Sequence, residues 1–167
     1  MPYTIYDATI TPMIRMLKNL SKILDKAVVE AGAKNIPLQQ LLDARLAPDM
    51  FAFPKQIQIA TDAAKGAAAR LQGLQPPSFA DTEKTFDELK DRIAKPIAYL
   101  ESVDPAAFVG AEDRQIVVSG HGRTDEFVGA DFARNRALPN FYFHVTTAYD
   151  LLRHNGIDVG KRDFLGA

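Results

Sequence analysis

The side chains that could carry chemistry in this chain are few, and the histidines come first. The sequence contains three histidines and no cysteine, so disulfides, thiolate metal sites and a cysteine nucleophile are excluded. His121 stands between two glycines in a turn-like stretch, where it is interpreted as a solvated residue or, alternatively, as a mobile acid–base group. His154 is expected in the last turn of a helix, where a cation complements the helix dipole.

His144 is different because it adjoins Phe141 and Val145, two apolar residues of a helical pattern, and should border the core. Three interpretations remain open for this residue. It is a core histidine satisfied by a hydrogen bond, a residue that lines a binding pocket, or a metal ligand. It is therefore the candidate catalytic residue of the chain.

Composition places the chain among ordinary globular domains. Its 167 residues are 47% hydrophobic and 25% charged, which predicts one domain over residues 1–167 with a core that needs no staples. The start of the sequence has no signal-peptide pattern and no apolar run approaches the ~18 residues of a membrane span, so a cytoplasmic location is expected. Mixed charges with a net value of −1 give no basic patch, and we expect neither nucleic acid nor membrane as a partner.

Four long segments repeat apolar residues at spacings of three and four, which predicts helices that each bury one face. Their expected bounds are Thr4–Ala31, Asp49–Leu74 with the helix proper starting near Phe53, Asp81–Val103 and Leu138–His154. Gly32 suits the left-handed position after the first helix. Pro96 should kink the third helix, and Pro139 fits the first turn of the fourth.

The helical pattern breaks over residues 111–130. Gln115–Ser119 is rich in strand formers, a glycine-rich turn follows, and Thr124–Val128 can pair back. The sequence therefore predicts an all-α protein, an antiparallel four-helix bundle with a small β-hairpin inserted between helices three and four. Short helical pieces are expected at Ile36–Leu42 and Asp131–Ala137, and Phe164 and Leu165 should attach the tail to the bundle.

The charges of the third helix could be taken for a carboxylate cluster. They alternate in sign, which favours surface pairs at i,i+3 and i,i+4 instead. The residues concerned are Lys84, Asp87, Glu88, Lys90, Asp91 and Arg92.

Three segments resemble an uncharacterised bacterial family that is classed as a domain of unknown function within the DinB-like (DinB/YfiT) superfamily. They are Ala137–Gly156 with Gly160–Phe164, Met50–Ala60 and Thr85–Leu89. The resemblance covers nearly the whole chain. It implies a four-helix bundle that is often dimeric, and it implies no activity.

The wider superfamily binds a divalent metal through three histidines. One lies on helix two and two lie four residues apart on helix four, a spacing that puts both on one helical face. By resemblance the helix-four pair corresponds to Asn140 and His144, while helix two offers only Gln56 and Gln58. Neutral amides replace imidazole poorly as ligands of zinc, nickel or iron. Asn140 and His144 are therefore interpreted as vestigial metal positions, and no metal or other cofactor is expected.

If the topology follows the family, helices two and four begin at the same end of the bundle, where polar groups could converge on a ligand pocket. The pocket candidates are Asp49, Gln56, Asn140, Tyr142 and His144, with Lys55 and Gln58 beside them. The alternative is that Asp49 only caps helix two, Lys55 is solvated and Tyr142 lies at the edge of the core.

The preferred functional hypothesis is a metal-free DinB-like bundle that acts as a small-ligand or protein-interaction module. The alternative is an enzyme of hydrolase or thiol-transferase type that depends on a metal or on His144. A homodimer is also expected, from the resemblance and from an alanine-rich face of helix two that suits close helix packing. That face contains Ala63, Gly66, Ala67 and Ala68, but the dimer surface stays open because the core of the chain also needs Ala64 and Ala67.

Overall fold

The computed structural model describes residues 3–120 and 122–167, and it is mostly helical with a two-stranded antiparallel hairpin. The long helices are α1 (Ile5–Ala33), α3 (Phe53–Leu71), α4 (Phe86–Ser102) and α6 (Leu138–His154). The shorter elements are α2 (Leu38–Asp43), two 3-10 turns (Pro105–Phe108 and Ala111–Asp113), β1 (Gln115–Gly120), β2 (Arg123–Val128), α5 (Gly129–Phe132), a π-helical turn (Ala133–Ala137) and α7 (Lys161–Leu165).

Helix α1 starts where the sequence predicts and ends later. The Thr4 side chain accepts a hydrogen bond from the Asp7 N–H, and the Asp7 carboxylate accepts one from the Thr4 N–H, each at 3.1 Å, which is a complete capping box. The prediction for Gly32 was wrong, because the helix continues through it to Ala33. The left-handed position falls instead on Asn35, with φ of 54°.

The long helices do not all run antiparallel to their neighbours, and the prediction of a fully antiparallel bundle was wrong. The first residues of α3 and α4 meet, with the rings of Phe53 and Phe86 stacked at 5.5 Å. About two turns further along both helices, Arg92 Nε donates to Thr61 Oγ1 at 3.0 Å. These contacts make α3 and α4 parallel, and the extended segment 72–85 carries the chain back between them.

The returning segment also explains why α4 begins at Phe86 rather than at Asp81. Asp81 lies in the extended segment, where its carboxylate binds Lys55 Nζ at 2.6 Å. The helix starts only after Thr85, whose side chain and that of Glu88 form a second capping box. Helix α3 is also shorter than the predicted second helix. Asp49 lies in the turn before it, and the cap residue is Ala52.

Arg92 does not belong to the surface of α4, contrary to the prediction of surface pairs. Its side chain is fully buried and donates to Asp62 at 2.8 Å and to Asp81 at 3.0 Å. It also lies 3.4 Å from the buried carboxylate of Glu83. The guanidinium therefore fixes the returning segment onto α3 and α4 from inside.

The short helix predicted at Asp131–Ala137 is not separate from the fourth helix. The backbone is helical without a break from α5 through the π-helical turn into α6. Within the turn the Leu138 N–H donates to the carbonyl of Ala133, five residues back. These hydrogen bonds to the fifth residue back lie directly before Pro139. Because proline has no N–H, it removes one α-helical hydrogen bond at this point.

The hairpin pairs β1 with β2 in a register that runs from Gln115 opposite Val128 to Gly120 opposite Arg123. His121, which lies between the two strands in the sequence, is outside the described residues. Gly129 joins β2 to the helix that follows. Its N–H donates to the Arg114 carbonyl at 2.8 Å, and a Cβ at this position would overlap the backbone oxygen of Ala111.

The alanine-rich face of α3 packs inside the chain and is not available as a dimer surface. Ala64, Ala67 and Ala68 are fully buried, because small side chains allow α6 and α4 to approach α3 closely. Gly66 is buried as well. Of the four residues expected in this face, Ala63 is half-buried, so most of the face is used for packing within the chain.

The tail forms α7 and packs through one of its two predicted anchors. The ring of Phe164 meets Tyr149 edge-on at 5.8 Å, whereas Leu165 is 46% exposed. Asn19 on α1 donates to the Phe164 carbonyl at 3.0 Å. No helix in the described part of the chain has the length and apolar character that a membrane crossing requires.

Candidate functional site

The central feature of the site is a hydrogen bond between the second and fourth long helices. His144 Nδ1 on α6 lies 2.6 Å from Gln56 Oε1 on α3. Gln56 is 1% exposed and His144 is 9% exposed, so the contact is almost closed to water. The helices run antiparallel here, which places the first turn of α3 beside the second turn of α6.

This contact fixes which imidazole nitrogen carries the proton. Gln56 Nε2 donates to the Phe51 carbonyl at 3.0 Å, and a carbonyl can only accept. The amide therefore turns its oxygen toward His144, and an amide oxygen needs a donor. The neutral imidazole accordingly holds its proton on Nδ1 and leaves a lone pair on Nε2.

The Nε2 atom faces a partly apolar, partly open environment. It makes no hydrogen bond to any described residue, and no described side-chain nitrogen or oxygen is both buried and without a partner, so Nε2 reaches solvent. Phe143 meets the imidazole edge-on at 5.1 Å and is 56% exposed. Burial lowers the pKa of His144, which favours the neutral imidazole.

A cavity of about 370 Å³ begins one helical turn from His144. It lies between α3, the hairpin and the π-helical turn, and Asn140 lines it. Asn140 and His144 lie four residues apart on one face of α6, and Asn140 lines the cavity whereas His144 does not. The cavity together with the surface that leads along this face to His144 is called the groove below.

The remaining pocket candidates point elsewhere. Tyr142 lines a different cavity, of about 390 Å³, between α1 and the C-terminal residues. Asp49 is exposed in the turn before α3. Lys55 is paired with Asp81, and Gln58 Nε2 donates to the Glu83 carboxylate at 2.9 Å. The convergence expected at one end of the bundle is absent because α3 and α6 run in opposite directions.

The donor set does not fit the three-histidine metal site of the superfamily. The imidazole Nδ1 of His144 is engaged by Gln56, which leaves Nε2 as its one available donor. Asn140 and Gln56 offer neutral amides, and the Gln56 oxygen is already used. Within the described residues no three His, Asp or Glu side chains come together as a metal site.

Two residues that the sequence did not single out line the cavity beside Asn140. They are Arg70, at the end of α3, and Arg136, in the π-helical turn. Two sequence features could have drawn attention to them. A glycine inside an alanine-rich helix lies four residues before Arg70, and a proline lies three residues after Arg136. Neither feature predicts that the two arginines line one cavity.

The fold and the groove define a DinB-like helical protein, and comparison with known proteins agrees. A crystal structure of a DinB family member protein from Shewanella denitrificans superimposes with a TM-score of 0.90 at 44% sequence identity, over 97% of this chain and 92% of that one. The family profile for "Domain of unknown function (DUF1993)" matches residues 5–165. The chain belongs to this family, which lies within the DinB-like superfamily. Among curated proteins none matches the chain.

Proposed function

We propose that this chain is a metal-free, small-ligand-binding module built on a DinB-like four-helix bundle, in which His144 Nε2 accepts a hydrogen bond from the ligand. The observation that carries the proposal is the 2.6 Å contact between His144 Nδ1 and Gln56 Oε1. It holds the ring in one orientation and one tautomer, which leaves the lone pair of Nε2 free to accept a hydrogen bond. A site whose polar groups are fixed in advance loses less entropy on binding.

The surroundings of Nε2 support an organic ligand rather than a solvated ion. The ring of Phe143 lies against the imidazole, and the ring of Phe51 is also 56% exposed. Pockets for small molecules typically combine such apolar walls with a few fixed polar groups.

A second candidate function is an enzyme that uses His144 as a general base. The same fixed tautomer supports it, because a neutral Nε2 can accept a proton, and burial lowers the pKa of the imidazole. Gln56 would act as a positioning residue that keeps Nε2 directed at the substrate, as a second hydrogen-bonding partner does for a catalytic histidine.

The binding proposal is tested with phenol, a small ring that carries one O–H donor, and with anisole, its methylated control that has none. The chemical shift of His144 Nε2 is followed by NMR on protein with ¹⁵N-labelled histidine. We expect a saturable shift with phenol, a much weaker response to anisole and no binding to the His144→Phe variant. Equal responses to phenol and anisole, or no saturable response, would contradict the role of Nε2.

The absence of a structural metal is tested separately. Protein purified without a histidine tag should contain no stoichiometric zinc, nickel or iron by elemental analysis, and a strong chelator should leave its melting temperature unchanged. A stoichiometric metal, or a drop of several degrees with chelator, overturns the metal-free part of the proposal and leaves the phenol experiment as an independent test.

We also propose that the chain forms a homodimer, although through a surface other than the alanine-rich face of α3. The family resemblance supports this assembly. Sedimentation equilibrium at micromolar concentration should give a species heavier than the 18.4 kDa chain, and finding only the monomer would contradict the proposal.

A further inference from the structure

The cavity beside Asn140 contains two arginine side chains without partners. Arg70 and Arg136 both line it, and neither guanidinium forms an ion pair or hydrogen bond with any of the residues in 3–120 and 122–167. Arg70 is half-buried. Burial and the nearby charge of Arg136 lower the pKa of Arg70, so the structure holds two like charges close together without compensation.

The local structure of α3 makes room for this arrangement. A Cβ at residue 66 would overlap Nη1 of Arg70, so the Arg70 side chain lies back over Gly66, one turn toward the start of the helix. A cation at a helix end usually complements the dipole of the last carbonyls. Here the guanidinium lies on the far side of its own Cα from those carbonyls. A glycine inside a helix is less favourable than alanine, so Gly66 lowers helix stability while leaving space for the Arg70 side chain.

The acidic groups of the cavity do not neutralise the two arginines. Asp62 and Asp125 also line it, but each already has cationic partners. Asp62 Oδ1 lies 2.8 Å from Arg92 Nη2 and 2.7 Å from Lys65 Nζ. Asp125 Oδ1 accepts from Arg123 at 3.2 Å.

The π-helical turn supplies the other side of the cavity. It carries Arg136, and it leads into the helical turn that carries Asn140, whose amide makes no hydrogen bond within the described residues. Single π-helical turns are frequent at functional sites, where they re-aim side chains. Two guanidinium groups and one amide thus offer donors to one cavity, in which Arg70 is half-buried and Arg136 is exposed.

We propose that the cavity binds the oxyanion group of a small organic molecule, a phosphate or a carboxylate, between Arg70 and Arg136. Guanidinium groups match both oxyanions with paired hydrogen bonds, and Asn140 can donate to a third oxygen. The inference extends the proposed function, because Arg136 and His144 lie eight residues, about two helical turns, apart on one continuous helix, so that one ligand of that length would contact both. The oxyanion site itself depends only on the cavity.

The test is calorimetric titration at constant ionic strength with inorganic phosphate in one arm and succinate in the other. We expect saturable binding of at least one of them in the millimolar range. Arg70→Met and Arg136→Met should each weaken it about tenfold or more, as expected for losing a charge-assisted hydrogen bond. Arg134→Met is the matched control, because Arg134 has the same charge as Arg136, lies in the same turn and lines a different cavity. This variant should bind phosphate or succinate with the affinity of the wild type.

Gly66→Ala keeps the test valid if an arginine variant folds poorly. The added methyl group displaces only the end of the Arg70 side chain, so the protein should remain folded by circular dichroism and bind the oxyanion less well. Binding of phosphate alone or succinate alone identifies the ligand class. Binding of neither, or equal binding by the Arg70, Arg136 and Arg134 variants, overturns the proposal.

The outcome is separable from that of the His144 proposal. Inorganic phosphate and succinate probe only the arginine end of the groove, whereas phenol probes His144. If the ions bind and phenol does not, the role of Nε2 fails alone. If phenol binds and the ions do not, the oxyanion site fails alone.

Discussion

Gln56 and His144 are 88 positions apart in the chain, yet Oε1 of the amide and Nδ1 of the imidazole lie 2.6 Å apart. Replacing His144 by phenylalanine keeps an aromatic ring but leaves the Gln56 oxygen without its donor. We expect the free energy of unfolding, measured by urea titration, to fall by about 1–3 kcal/mol, the usual cost of an unsatisfied buried polar group.

A double-mutant cycle separates this effect from packing. Replacing both partners of a buried hydrogen bond by apolar groups is often nearly neutral, so His144→Phe combined with Gln56→Leu should recover much of the lost stability. Gln56→Leu also frees the Phe51 carbonyl, which lies in an exposed residue and can bind water. Additive losses in the double variant would show that the two side chains do not interact.

The pH dependence of stability should carry a signature of His144. Burial lowers its pKa below the ordinary value of 6.5, so between the two values the unfolded chain binds more protons than the folded one. Stability therefore rises with pH through this window and levels off above it. Urea unfolding at about pH 7.5 and about pH 5.5, on either side of the ordinary histidine pKa, should show a larger loss on acidification for the wild type than for His144→Phe. Equal losses would contradict the assignment.

Arg92 should be among the most sensitive positions of the chain. Its side chain is fully buried and bridges Asp62, Asp81 and Glu83. Removing one partner of a buried charge network costs about 3–5 kcal/mol, so Arg92→Met should lower the free energy of unfolding by that order. Lys22→Met, at an exposed lysine, is the control and should change it by no more than about 0.5 kcal/mol. Similar small effects for both variants would mean that Arg92 is not the anchor of the returning segment.

Gly129 should tolerate no side chain. A Cβ there would overlap the Ala111 backbone oxygen, which cannot move without shifting the turn before β1. We expect Gly129→Ala to destabilise by about 1–3 kcal/mol, as overpacking typically does. Gly32→Ala, where nothing lies within reach of the added methyl, should instead stabilise α1 by up to about 1 kcal/mol. The two melting temperatures should therefore move in opposite directions.

The sequence by itself determined the features that arise from neighbours along the chain. Apolar residues at spacings of three and four located four long helices, because a helical face depends only on local geometry. Alternating strand formers around a glycine turn located the hairpin, and Thr4 with Asp7 located the start of α1. The resemblance of segments such as Ala137–Gly156 placed the chain in its family and identified His144 as the residue to follow.

Only the tertiary structure decided what depends on the path of the chain between helices. The course of segment 72–85 makes α3 parallel to α4, and no periodicity encodes that direction. The direction then decides which residues meet. Arg92 becomes a buried anchor rather than a surface charge, Gln56 reaches His144 while Asp49 does not, and Arg70 and Arg136 come to share one cavity. Hydrogen bonds and charge pairs between distant residues form only where packing brings their atoms within a few ångströms, so the candidate site is set by the folded chain.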